Sequence, residues 1–165
     1  MPSHNERSHD EDPIDRARSA GMLAREHIAV LLSNIGIRLT RGATAYYRSE
    51  WNIGMVEWRL IMVLNNTEAL NVSELSDAAD VDKAAASRSL MFLQECKLVS
   101  VEQTRSRGRA AIAKLTAEGR KLAPKLYAIS REREARLLQK FSLSDRETLY
   151  ALLRKMSETM DMEGY

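Results

Sequence analysis

One cysteine in 165 residues leaves no internal disulfide, so a disulfide-stapled scaffold or a cysteine-rich metal module is excluded. Three prolines and seven glycines are too few for a turn-rich β fold and favour long helices. Long hydrophobic runs are missing. The longest uncharged apolar-rich stretch, His27 to Ile37, is too short to span a bilayer, which excludes an integral helical membrane protein. The opening residues MPSHNERSHDEDP have no apolar signal core, and together with the lone cysteine this reads as a cytoplasmic chain. There is no phosphate-binding glycine loop, no Cys/His cluster, and no serine with a matching histidine and acid. The expectation is therefore a non-enzyme with no catalytic residue, no metal and no cofactor.

Charge is present but unevenly spread. The whole chain carries +2, yet Lys97 to Lys125 alone carries eight basic and two acidic residues, leaving the remainder at −4. A basic segment on an otherwise acidic chain is an asymmetry found in nucleic-acid binders, although a solvated helix face also produces it.

Residues 1–13 are polar and aperiodic and are read as a disordered tail. Pro13 and Asp15 are suited to opening a helix. Ile28, Leu31, Leu32, Ile35, Leu39, Ala43 and Tyr46 then recur at steps of three and four, which predicts one long helix from about 15 to 49, weakened by Gly21, Gly36 and Gly42. A second helix spans about Met55 to Asn65 and is apolar on most sides. Asn71 and Glu74 form a capping box opening a short helix that ends near Ala79. Asp80-Val81-Asp82 makes a turn, and Asp82 caps a third helix from about Lys83 to Cys96. Two short helices around a tight turn fit a helix-turn-helix. Leu98, Val99 and Val101, then Ala111 to Leu115, flank a basic Gln103–Arg109 tip. This predicts a β-hairpin, the only β structure expected. Thr116 caps a helix from about 117 to 140 that contains Pro124. Ser144-Asp-Arg-Glu147 reads as a capping box for a last helix carrying Leu149, Leu152, Leu153, Met156 and Met160. The fold class is mainly α with a small β-hairpin wing.

Several residues on this scaffold can carry recognition. In the third helix Ala86, Leu90 and Leu93 share an inward face. Ala84, Ser87, Arg88 and Met91 share the opposite one, with Lys83 at the helix start. Arg88 can make a bidentate contact to guanine or hold a phosphate, or else pair with a neighbouring carboxylate. Ser87 can donate to base or backbone, and alanine can touch a thymine methyl. Arg105, Arg107 and Arg109 alternate and would point the same way in an extended strand, as a finger along a phosphate ridge or into a minor groove. For Cys96, Lys97 lowers the thiol pKa and Glu95 raises it, and a structural cysteine is the preferred reading.

The order helix, helix, helix-turn-helix, basic hairpin and long helices, with Val56-Glu57-Trp58-Arg59, Ser87-Arg88 and Leu115-Thr116 before Gly119, resembles the MarR family of bacterial transcriptional regulators over roughly residues 28 to 158. The resemblance implies a winged helix-turn-helix with long helical dimerisation arms. On that basis 14–52 is an N-terminal dimerisation helix, 53–115 the DNA-binding domain and 116–162 the C-terminal dimerisation helices. Leu31, Ile35, Leu149, Leu152, Leu153 and Met156 are assigned to the dimer contact. It implies a homodimer on a palindromic duplex-DNA operator, acting as a repressor released by a small aromatic or phenolic effector. Arg38, Tyr46, Tyr47, Trp51, Asn52 and Trp58 lie where the family's ligand pocket sits, with plain core packing as the other reading of the aromatics. Two departures stand out. The family's wing reads Asp-x-Arg, whereas here it is Arg107-Gly108-Arg109. Lys97 also stands where the family favours Gly at the end of the recognition helix; in a left-handed conformation this costs about 1 kcal/mol. The alternative function is a winged-helix module that binds a protein partner without specific DNA recognition.

Overall fold

The computed structural model describes residue 21 and residues 27–103 and 111–163. The chain divides into two compact units, Met1–Met55 and Val56–Tyr165. The first holds α1 (Ile28–Trp51), which runs unbroken through Gly36 and Gly42. The expected start near 15 lies outside the described residues. Asn52 ends the helix in the left-handed region at φ 55°, a conformation that a short amide side chain tolerates.

Next come α2 (Met55–Asn66), β1 (Leu70–Asn71), α3 (Val72–Ala78), α4 (Lys83–Glu95), β2 (Val99–Gln103), β3 (Ala111–Leu115), α5 (Ala117–Leu137) and α6 (Leu143–Glu163). Caps set several of these boundaries. The Asn71 side chain accepts from the Glu74 amide while Glu74 accepts from the Asn71 amide, the reciprocal box expected for α3. Asp82 accepts from the amides of Ala84 and Ala85 at the start of α4. Both helices of the pair end alike. Asp80 (φ 52°) and Lys97 (φ 59°) are left-handed, and each helix closes with paired amide-to-carbonyl bonds, Asp80 to Asp77 and Val81 to Ser76, then Lys97 to Gln94 and Leu98 to Leu93.

Two expectations are corrected. The hairpin is not the only β structure: β1 pairs antiparallel with β3, Leu70 opposite Ala113 and Asn71 opposite Ile112, giving the order β1-β3-β2. Two residues are too short to show alternation, and Asn71 already serves as a helix cap, so the pairing is a long-range choice. The capping box of the last helix is also displaced. Ser142, not Ser144, opens α6: its hydroxyl and amide both bond the Asp145 carboxylate, and the Asp145 amide donates back to the Ser142 oxygen. Arg146 holds the preceding turn by donating to the carbonyls of Leu138 and Phe141, which draws the helix start toward Phe141.

The core of the second unit comes from α2 (Leu60, Ile61, Leu64), α3 (Leu75), α4 (Ala86, Leu90, Leu93), the sheet (Val99, Ala113, Leu115) and α5 (Ala123, Leu126). Gly119 lets α5 approach the sheet edge, because a Cβ there would stand 2.1 Å from the Leu98 carbonyl oxygen. Thr116 completes this corner. Its hydroxyl accepts from the Gly119 amide and donates to the Lys97 carbonyl, and its amide donates to that of Leu98. Among the described residues, no helix is long and apolar enough to cross a membrane.

Candidate nucleic-acid interface

Helix α4 has two unlike faces. Ala86, Ser89, Leu90 and Leu93 are buried. Ala84, Ser87, Arg88 and Met91 are exposed and fall on one stripe, with Lys83 exposed at the helix start. The inner face anchors the helix: fully burying a leucine side chain contributes about 1.5–3 kcal/mol, and α4 places Leu90 and Leu93 inside. Among the described residues, no carboxylate pairs with the exposed Arg88 guanidinium.

Two polar struts run from α2 to the helix pair, and sequence reasoning missed both. The Ser89 hydroxyl, on the buried side of α4, donates to the Glu57 carboxylate. The Arg59 guanidinium donates to the carbonyls of Asp80 (2.9 Å) and Ala79 (3.4 Å) in the turn and lies 3.7 Å from the Asp80 carboxylate. Both struts start in Val56-Glu57-Trp58-Arg59. The only available signal was two opposite charges, two residues apart, opening an otherwise apolar helix.

Of the expected wing, the two strands lie among the described residues. Glu102 pairs with Lys114 across β2 and β3, and Val99, Ala113 and Leu115 bury the inner side. Arg105, Arg107 and Arg109 lie outside the described residues.

The residues assigned to a ligand pocket divide between the two units. In the first, Tyr46, Tyr47 and Trp51 form an aromatic group with ring centroids 5.9–6.4 Å apart, and Tyr47 is buried. Asn52 closes the helix beside them. Arg38 is eight residues before Tyr46, about 12 Å along the helix axis, and is not part of that group. In the second unit Trp58 lines a cavity of about 260 Å³ with Met62, Asn65, Asn66, Tyr127 and Ser130.

The residues assigned to dimer contact are mostly exposed. Leu31 and Ile35 on α1, and Leu152, Leu153 and Met156 on α6, all face solvent, while Leu149 is half-buried. A recess of about 510 Å³ between α5 and α6 includes Leu137, Leu138, Leu149, Tyr150 and Leu153. Cys96, at the end of α4, has its thiol pKa raised by partial burial first, then by Glu95 and Glu57. The side chain itself is exposed, and a raised pKa leaves less of it as the reactive thiolate.

No family model matches the chain. Individual proteins do. An HTH-type transcriptional repressor of Mycobacterium tuberculosis is 26% identical over 136 residues, covering 82% of this chain and 86% of the relative. A solved MarR family protein of the same organism, in complex with salicylic acid, is 27% identical, covers 79% of this chain and 96% of its own, and superposes with a TM-score of 0.61. A solved MarR/EmrR family transcriptional regulator from Acinetobacter sp. ADP1 is 30% identical, covers 92% of this chain and 99% of its own, and superposes with a TM-score of 0.69. With that identity over nearly the full length of both proteins, the chain belongs to the MarR family of transcriptional regulators.

Proposed function

We propose that the protein is a homodimeric repressor that binds a palindromic operator in duplex DNA and is released by a small aromatic or phenolic acid. The observation that carries this reading is α4. Its apolar face is buried within its own chain, while Ala84, Ser87, Arg88 and Met91 stand free on the opposite side. A helix held in this way can enter a major groove without losing its own packing. Arg88 then serves guanine or phosphate, Ser87 a base edge or phosphate, and Lys83 the backbone. The wing arginines, Arg109 foremost, add contacts to the phosphates or the minor groove.

A second copy covers the exposed apolar stripes of α1 and α6 and sets two reading heads about one helical turn of DNA apart. The effector is supported by the salicylic acid bound to the M. tuberculosis relative. Its candidate contacts here are the Tyr46–Tyr47–Trp51 group and the cavity beside Trp58, each within its own unit. An effector that favours another head separation shifts the equilibrium only by its differential affinity for the two states.

Fluorescence anisotropy tests the proposal, comparing a duplex from upstream of the protein's own gene with a scrambled duplex across a salt series. Tight, steeply salt-dependent binding that favours the native duplex is expected. Equal and weak binding to both would instead favour the protein-binding module.

A further inference from the structure

Helix α4 offers few groups able to hydrogen-bond a base. The amides of Ala84 and Ala85 at its N-terminus are taken by the Asp82 carboxylate. The Ser89 hydroxyl is turned inward to Glu57. Beyond Lys83 at the helix start, only Ser87 and Arg88 on the exposed stripe keep polar groups for DNA, and the polar residues Gln94 and Glu95 come only in the last turn. What the stripe does offer is apolar. Met91 is 63% exposed, with Ala84 two turns before it and Arg88 between them. A long thioether side chain that open on a DNA-facing helix can meet an apolar counterpart in the groove. The major groove presents one, the 5-methyl group of thymine.

We propose that Met91, with Ala84, reads thymine methyl groups, so that part of the specificity in each half-site comes from methyl contact while Arg88 supplies the polar anchor. This rests on α4 being the DNA-reading helix. Met91 suits the task because its unbranched, polarizable chain adapts to the groove floor. Ala84 is short enough to let the backbone approach a methyl closely. Cytosine in place of thymine loses the methyl and offers an amino donor for which neither side chain has an acceptor of useful strength.

The test uses the full-length protein. A duplex is selected from a random pool, and the winning sequence is remade with deoxyuridine in place of thymidine inside the half-sites or, as a control, only in the flanks. Deoxyuridine keeps base pairing and removes only the methyl. Loss of about fourfold in affinity for each contacted methyl is expected for half-site replacement, the effect of one methyl group returned to water, with no change for flank replacement. Met91→Ala should bind the thymidine duplex more weakly and respond less to deoxyuridine. Its folding is checked by circular dichroism, and its exposure makes it a safe substitution. Unchanged affinity on half-site replacement would overturn methyl readout and leave the DNA-binding reading standing. Undiminished deoxyuridine sensitivity in Met91→Ala would remove Met91 from the readout. Failure of the pool to yield any preferred sequence would overturn the DNA-binding reading itself.

Discussion

Helices α4 and α6 are both amphipathic, but they spend their apolar faces differently. Four of the thirteen residues of α4 are buried, and a carboxylate cap, a left-handed closure and the Ser89–Glu57 bond hold the helix in place. Helix α6 is 21 residues long, yet none of its described side chains is buried, and Leu143, Tyr150, Leu152, Leu153, Met156 and Met160 lie open. An apolar stripe of that length gains nothing from water. The apolar face of α4 is thus covered by its own chain, whereas that of α6 stays open, and this contrast is the physical basis for the proposed dimer.

The sharpest way to break this comparison is to damage each helix in turn. Leu93→Ala opens a cavity in a sealed core and should cost about 2–5 kcal/mol in urea unfolding. That loss should be the same at every protein concentration. Leu152→Asp should leave the fold of Val56–Tyr165 intact and instead abolish self-association in sedimentation experiments, with DNA affinity falling alongside. If Leu152→Asp unfolds the chain outright, or leaves the protein's assembly unchanged, the contrast between the helices is wrong.

Glycines provide a second test. Replacing a helical glycine with alanine ordinarily stabilises by up to about 1 kcal/mol, and Gly36→Ala, with open space around its Cβ position, should follow that rule. Gly119→Ala should reverse the sign and cost about 1–3 kcal/mol, because the new methyl meets the Leu98 carbonyl. Thermal melts of the two variants should therefore move in opposite directions.

On the reading face, Arg88→Ala should leave the melting temperature unchanged and weaken specific DNA binding by about 5- to 150-fold, as loss of a base-reading arginine does. A fall in stability without a fall in affinity would return Arg88 to a structural role.

The smallest effect belongs to the start of α6. Hydrogen bonds from the Ser142 hydroxyl and then its amide lower the Asp145 pKa below its ordinary value. The unfolded chain holds this proton more tightly than the folded one. The contribution is thus full above the ordinary carboxylate range and fades as pH falls through the lowered folded value. Asp145→Asn should flatten that part of the acid unfolding curve, a difference visible only with closely spaced pH points because the site is exposed.

Much of the scaffold was legible along the chain because caps and periodicity are short-range. Asn71 with Glu74, and Asp82 before Lys83, placed the helix pair within a residue or two. The inward set Ala86, Leu90 and Leu93 followed from helical spacing. The left-handed Lys97 was legible only through family resemblance. The capping box of α6 was misplaced because Ser142 and Ser144 both precede an acid by three residues. Only the turn held by Arg146 distinguishes them.

The sequence by itself determined the helix count over the described residues, the helix-turn-helix, the amphipathic stripe of α4 and its meagre supply of hydrogen-bonding side chains. These depend on neighbours within a turn or two. Tertiary structure alone decided that β1 joins the hairpin, that Ser89 turns inward to Glu57, that Arg59 ties down the turn, and that Gly119 must be glycine. Each requires two segments, 20 to 43 residues apart, to meet at a particular distance, and no local pattern encodes that meeting.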